Sequence, residues 1–176
     1  MGSKGFQYIT GFTLLELMVT ISIMAIIAGI AVPSYQGLIE SNLVRTASHS
    51  FYGSLVLARS EAVKNNLPVA VCKSSNGTSC ATSGTWDSGW LVFIDTDADS
   101  TFDSSEQLLE SHAGITNLTL RATDTDLDQV VYQADGTQRV AASFNVCVDD
   151  DVSRGTNISI GLTGRPSTEK GATVCP

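Results

Sequence analysis

Five carboxylates fall within one twelve-residue stretch, the densest potential chemistry in this sequence. Residues 95–106 read DTDADSTFDSSE, with Asp95, Asp97, Asp99, Asp103 and Glu106 at positions one, three, five, nine and twelve. The backbone carbonyl of Thr101 falls at position seven. This is the spacing of an EF-hand loop, in which a hard cation such as calcium collects about seven oxygens. Two features depart from that pattern: Ser100 stands where the loop has glycine, and no helix pair brackets the stretch. The competing expectation is an acidic, solvated loop between two strands, since aspartates also favour turns.

Four cysteines are the second candidate: Cys72, Cys80, Cys147 and Cys175. Three pairings are possible, and the spacing favours a short Cys72–Cys80 loop with Cys147–Cys175 stapling the C-terminus. No C-x-x-C spacing supports zinc, and His49 and His112 lie far from the cysteines in sequence. Catalysis finds little to work with: two isolated histidines, no nucleophile motif and no phosphate loop. The chain is not expected to be an enzyme. The net charge of −8 and pI near 4.5 oppose general affinity for nucleic acid, whose phosphates are bound through clustered Lys and Arg.

The third candidate is a single carboxylate. From Phe12 to Val32 the chain reads FTLLELMVTISIMAIIAGIAV, almost wholly apolar, and as a helix it spans about 31 Å, the thickness of a bilayer's hydrocarbon core. Glu16 sits near its start, where a carboxylate in lipid is costly and needs a partner or a function. An ordinary signal peptide has a shorter apolar core followed by a small-residue cleavage site. A plain anchor explains the length but leaves Glu16 unexplained.

Gly11-Phe12-Thr13-Leu14-Leu15-Glu16, followed by that run, resembles the class III signal of type IV prepilins and type II secretion pseudopilins. The resemblance implies cleavage by a prepilin peptidase between Gly11 and Phe12, N-methylation of Phe12, and retention of the apolar helix. It also implies that Glu16 directs subunit docking by meeting the positive N-terminus of a neighbour, a pairing that offsets the cost of burying each charge and sets axial register. Pro33 ends the run at a place where the family carries a proline, and a helix kink is expected there.

The elements that must position these residues can be read in turn. Leu43, Ala47, Phe51, Leu55, Ala58 and Ala62 recur at helical spacing, with Asn42, Arg45, Ser48 and Lys64 between them. One helix is therefore expected from Phe12 to Lys64, stopped by Asn65, Asn66 and Pro68. Strand signals follow at 69–72, 90–94, 117–121, 130–132, 143–148 and 157–160, separated by turns such as Asn76-Gly77 and Asp135-Gly136. The fold class is α+β: a long N-terminal helix, half transmembrane and half amphipathic, packed on a small antiparallel β-sandwich or two-sheet domain. The expected divisions are a leader at 1–11, a transmembrane or filament-core helix at 12–33, an amphipathic helix at 34–66 and a β-rich extracytoplasmic domain at 67–176.

The ARSEAV stretch (Ala58–Val63), the Cys-loop-Cys, the Gly-Trp-hydrophobic-Asp run, the late Phe-x-x-Cys, Gly164-Arg165 and the terminal cysteine together resemble the GspH/FimT/FimU branch of the pilin family. That resemblance implies a minor pilin of the FimU kind, helping to initiate pilus assembly in a tip complex. Its expected partners are other minor pilins, the major pilin and a tip adhesin. It would reside in the bacterial inner membrane before assembly and in the pilus afterwards. One alternative is a type II secretion minor pseudopilin. Another is a FimT-like, DNA-binding pilin of natural transformation, which carries Gly-Arg-x-Arg near the C-terminus. Here the matching stretch is Gly164-Arg165-Pro166-Ser167, with the second arginine replaced and Lys170 nearby.

Overall fold

A computed structural model of the chain describes residues 11–149 and 151–175. The leader, apart from Gly11, lies outside the described residues, as do the side chains of 32–34 and with them the kink expected at Pro33. The chain divides into two units, Met1–Ile39 and Glu40–Pro176. A helix, α1 (Leu14–Asn65), contributes to both.

In the first unit, every large apolar side chain described from Phe12 to Ile30 is exposed. An apolar helix uncovered on all sides needs another apolar medium, and the segment is long and apolar enough to cross a membrane. Its hydroxyls are satisfied internally: Thr20 Oγ1 donates to the Leu17 carbonyl at 2.8 Å and Ser22 Oγ to that of Met18 at 2.7 Å. Such back-bonding suits a helix with no water to bond.

In the second unit, α1 buries Val44, Ala47, Phe51, Leu55, Ala58 and Ala62. The stripe starts at Val44 and not at Leu43, which is 40% exposed. Steps of three and four from Phe51 reach Val44 through Ala47, and this register turns Leu43 away from the core. The helix stops at Asn66, whose φ of 54° is the left-handed conformation common just past a helix end.

Among the described residues eight strands follow: β1 (Val69–Lys73), β2 (Gly89–Ile94), β3 (Gln107–Ala113), β4 (Thr119–Ala122), β5 (Gln129–Tyr132), β6 (Ala142–Cys147), β7 (Thr156–Ile160) and β8 (Pro166–Lys170). They form two antiparallel sheets, ordered β3-β2-β1-β5 and β4-β6-β7-β8. Side chains from both sheets join the helix stripe in one core. Phe51 is its hub, with edge-on contacts to Trp86, Trp90 and Phe144 at centroid distances of 5.5, 5.1 and 4.8 Å. Rings so arranged add roughly 0.5–1.5 kcal/mol per pair beyond the area they bury.

β1 and β2 are buried along their whole length because both faces are covered. Val69, Val71, Trp90, Val92 and Ile94 face the helix core, while the alternate residues Ala70, Cys72, Leu91 and Phe93 form a second cluster with Cys80, Phe102 and Val131. Two strands were not expected from the sequence, β3 and β8, and both are sheet edges.

Candidate functional site

Gly11 and Phe12 lie just before α1, and the Phe12 side chain is exposed. Thr13 caps the helix: its Oγ1 accepts the Glu16 backbone N–H at 3.2 Å. Thr13 and Glu16 thus have the spacing of a capping box, and a carboxylate in the first turn also suits the positive end of the helix dipole. Glu16 therefore has a local role the sequence reading missed, one that helps place a charged residue at the head of an apolar helix. It is the only ionisable side chain between Phe12 and Val32.

Cys72 is bonded to Cys80 and Cys147 to Cys175. The first bridge closes a loop over the outer cluster. Within it Asn76 Oδ1 accepts the N–H groups of Thr78 and Ser79 at 2.9 and 3.0 Å. The second pins the C-terminal tail to β6, where buried Asn145 assists. Its Oδ1 accepts the Thr173 N–H at 2.9 Å and the Asn157 side-chain amide at 3.1 Å.

The acidic loop joins β2 to β3. Phe102 packs tilted against Phe93, ring centroids 5.3 Å apart, and anchors the loop to the outer face of the first sheet. Oxygens of Asp95, Asp97 and Asp99 lie within 4.8 Å of one another. Ser100, where a calcium loop has glycine, takes a φ of 63°, the left-handed turn that the glycine would supply. The remaining carboxylates brace the loop. Asp103 Oδ1 accepts the Ser105 N–H and hydroxyl at 2.6 and 2.7 Å, which holds its carboxyl below the ordinary value. Glu106 Oε1 accepts the Thr96 N–H at 2.8 Å, and burial pushes its carboxyl up.

Arg165 and Lys170 are not brought together. They flank and end β8, and they line different grooves. Arg165 shares one with Tyr52, Arg59 and Lys64, and Lys170 the other with Arg45, His49 and Arg154. Several of these cations are already engaged: Arg154 with Glu40 and Asp151, and Lys64 with Glu61.

Arg59, the arginine of the ARSEAV stretch, is a structural brace. Its Nε donates to the Gly136 carbonyl and its Nη2 to that of Thr163, each at 3.0 Å. The ARSEAV stretch gave the residue, but only the fold brings both turns within reach of one guanidinium.

The family described as type II transport protein GspH has a model that matches residues 47–164, and the prokaryotic N-terminal methylation motif matches residues 8–32. The pilin-like protein PilA1 of Thermus thermophilus is 30% identical over 106 residues, 59% of this chain and 60% of that protein. The chain therefore spans about 60% of the length of this curated relative. A crystal structure of the Pseudomonas aeruginosa type IV minor pilin FimU shares the fold, with a TM-score of 0.64 at 21% identity over 79% of this chain and 99% of that one. A second crystal form gives 0.61 at 22% identity over 75% and 99%.

Proposed function

We propose, from the premise that this chain belongs to the GspH family and is a type IV minor pilin or pseudopilin, that it helps initiate pilus assembly and sits in the tip complex. Proteins of this class are structural and not enzymatic. The observation that carries the proposal is Glu16: one carboxylate heads an otherwise apolar, uncovered helix, five residues after Gly11. Cleavage after Gly11 by a prepilin peptidase would make Phe12 the N-terminal residue and place its methylated amine near the capped turn.

In membranes the helix holds the subunit. In a filament its apolar faces exchange lipid for neighbouring helices, and the amine of one Phe12 meets the Glu16 carboxylate of another subunit. A wrong stagger leaves both charges unpaired in an apolar bundle, a loss of several kcal/mol, so the pair selects one register. The globular unit presents its surfaces to other minor pilins, the major pilin and an adhesin.

The test uses the full chain in its native membranes. Mass spectrometry of the mature protein is expected to find N-methylated Phe12, and an uncut Gly11–Phe12 bond would defeat the processing step. Deleting the gene is expected to reduce surface pili, with Glu16→Ala failing to restore them although it still inserts in the membrane. Immunogold labelling should mark pilus ends. Normal pili with impaired protein secretion would instead assign the chain to a type II secretion system. DNA binding lost in Arg165→Ala would assign it to DNA uptake.

A further inference from the structure

We propose that the loop between β2 and β3 binds one divalent cation of calcium's size and hardness, through the carboxylates of Asp95, Asp97 and Asp99. The decisive residue is Asp95. Its side chain is 1% exposed, and neither carboxylate oxygen has a hydrogen-bond partner. The N–H groups of Ala98 and Ser100 lie on its side of the loop and ease the burial, but neither reaches hydrogen-bond geometry. A carboxylate held out of water without donors is costly unless a positive charge completes it.

Its position is not an accident of a loose loop. The Asp95 backbone N–H donates to the Pro68 carbonyl at 3.0 Å, so the residue is fixed to the end of the first sheet. Its carboxyl is aimed at the oxygens of Asp97 and Asp99, within 4.8 Å. Those two residues each use one oxygen on their own turn: Asp97 Oδ1 accepts the Asp99 N–H, and Asp99 Oδ1 the Thr101 N–H. A carboxylate has a second oxygen, so the turns hold the side chains in place without exhausting them.

The donor set is all oxygen and anionic, which selects a hard cation over zinc or copper. Three aspartates fall short of the six to eight oxygens calcium takes, and backbone carbonyls such as that of Thr101, with water, supply the rest. Magnesium demands a tighter octahedron and gives up its water reluctantly, so an irregular loop of this kind favours calcium.

The experiment uses the full chain in detergent, stripped with a chelator and dialysed. Titration with calcium chloride is expected to show one ion per chain and a rise in Tm. Asp97→Asn and Asp99→Asn should each abolish both; these side chains are exposed, so the fold stands without them. Asp95→Asn should also abolish binding, while its calcium-free Tm exceeds that of the calcium-free parent, because an amide is easier to bury than an anion. No heat and no Tm shift from folded protein at about 10 mM calcium, beyond the weakest extracellular modules, would overturn the proposal. So would a shift that survives the Asp97→Asn, Asp99→Asn double variant, or an equal response to magnesium chloride.

Discussion

Arg59 on α1 donates its Nε to the carbonyl of Gly136 at 3.0 Å, while its Nη2 reaches the carbonyl of Thr163 at the same distance. The first carbonyl belongs to the turn after β5 in one sheet, the second to the turn between β7 and β8 in the other. One guanidinium thus ties both sheets to the helix beside the buried core residues Ala58 and Ala62. Its fixed fork is what allows two acceptors to be served together.

Arg59→Ala is expected to destabilise the globular unit by about 1.5–3 kcal/mol, the range for hydrogen bonds to a charged donor that leave a carbonyl behind. Arg59→Lys should recover only part of that, since one ammonium cannot serve both carbonyls in the same geometry. Urea denaturation monitored by tryptophan fluorescence measures both. A loss no larger than that of an exposed helix residue, roughly 0.5 kcal/mol, would show that the brace is ornamental.

Gly164 closes the same corner from the other side. Its φ is +73°, and a Cβ there would sit 1.9 Å from the Gly136 oxygen. Gly164→Ala is therefore expected to cost about 3 kcal/mol or more, because both the backbone conformation and the contact must yield. Gly161→Ala, where a Cβ meets nothing within 4 Å, is the control and should stay within about 0.5 kcal/mol. Equal effects would refute the close-contact account. The comparison also gives the glycine of the Gly164-Arg165 pair a purely structural reason to be there.

The two disulfides should differ in worth. Cys72 and Cys80 are separated by 8 residues, Cys147 and Cys175 by 28. Loop-closure entropy makes these worth about 2.5 and about 3.5 kcal/mol, on the chain-entropy view. The Cys147→Ser, Cys175→Ser double variant should also free the tail, so that Thr173 loses its bond to Asn145 and amide exchange accelerates over residues 171–175. Protection unchanged in that variant would mean that the hydrogen bonds to Asn145, Val152 and Gly155 hold the tail without the bridge.

How much of this could be read in advance depended on what each element is buried against. The interior strands β1, β2, β6 and β7 announce themselves as apolar or alternating runs because they pack on the core. The edge strands β4 and β5 are half-buried and were legible as well, at 117–121 and 130–132, whereas the edge strands β3 and β8 were not. QLLESHA carries most of its side chains at least partly in water, and PSTEK opens on a proline and ends on charges. Those are the features that keep an edge from pairing with another chain, and they also hide it from a hydrophobic pattern. At the candidate sites, spacing alone located the Asp95–Glu106 loop and Glu16. It could not show that Asp95 is buried without a donor while Asp103 is spent on its own turn; the Thr13-x-x-Glu16 capping spacing was there to be read and was passed over. Arg59 was the real omission, since its two carbonyl partners lie 77 and 104 residues away in sequence.

Asp151 provides a pH-dependent test of the loop between β6 and β7. The Ser153 hydroxyl donates to its Oδ1 at 2.6 Å and Arg154 Nε to its Oδ2 at 2.7 Å. Led by the serine, these bonds hold its carboxyl down at about 2, against an ordinary 3.8. A depressed carboxyl releases its proton more readily in the folded chain than in the unfolded one. Its stabilising contribution is therefore complete above 3.8 and is lost as pH falls towards about 2. The Tm difference between the parent and Asp151→Asn should be constant above about pH 5 and should close on further acidification. The group is exposed, so the difference should be small and should shrink with salt. A gap that widened as pH fell would mean that Asp151 is stabilised in its protonated form, contrary to the hydrogen bonds that surround it.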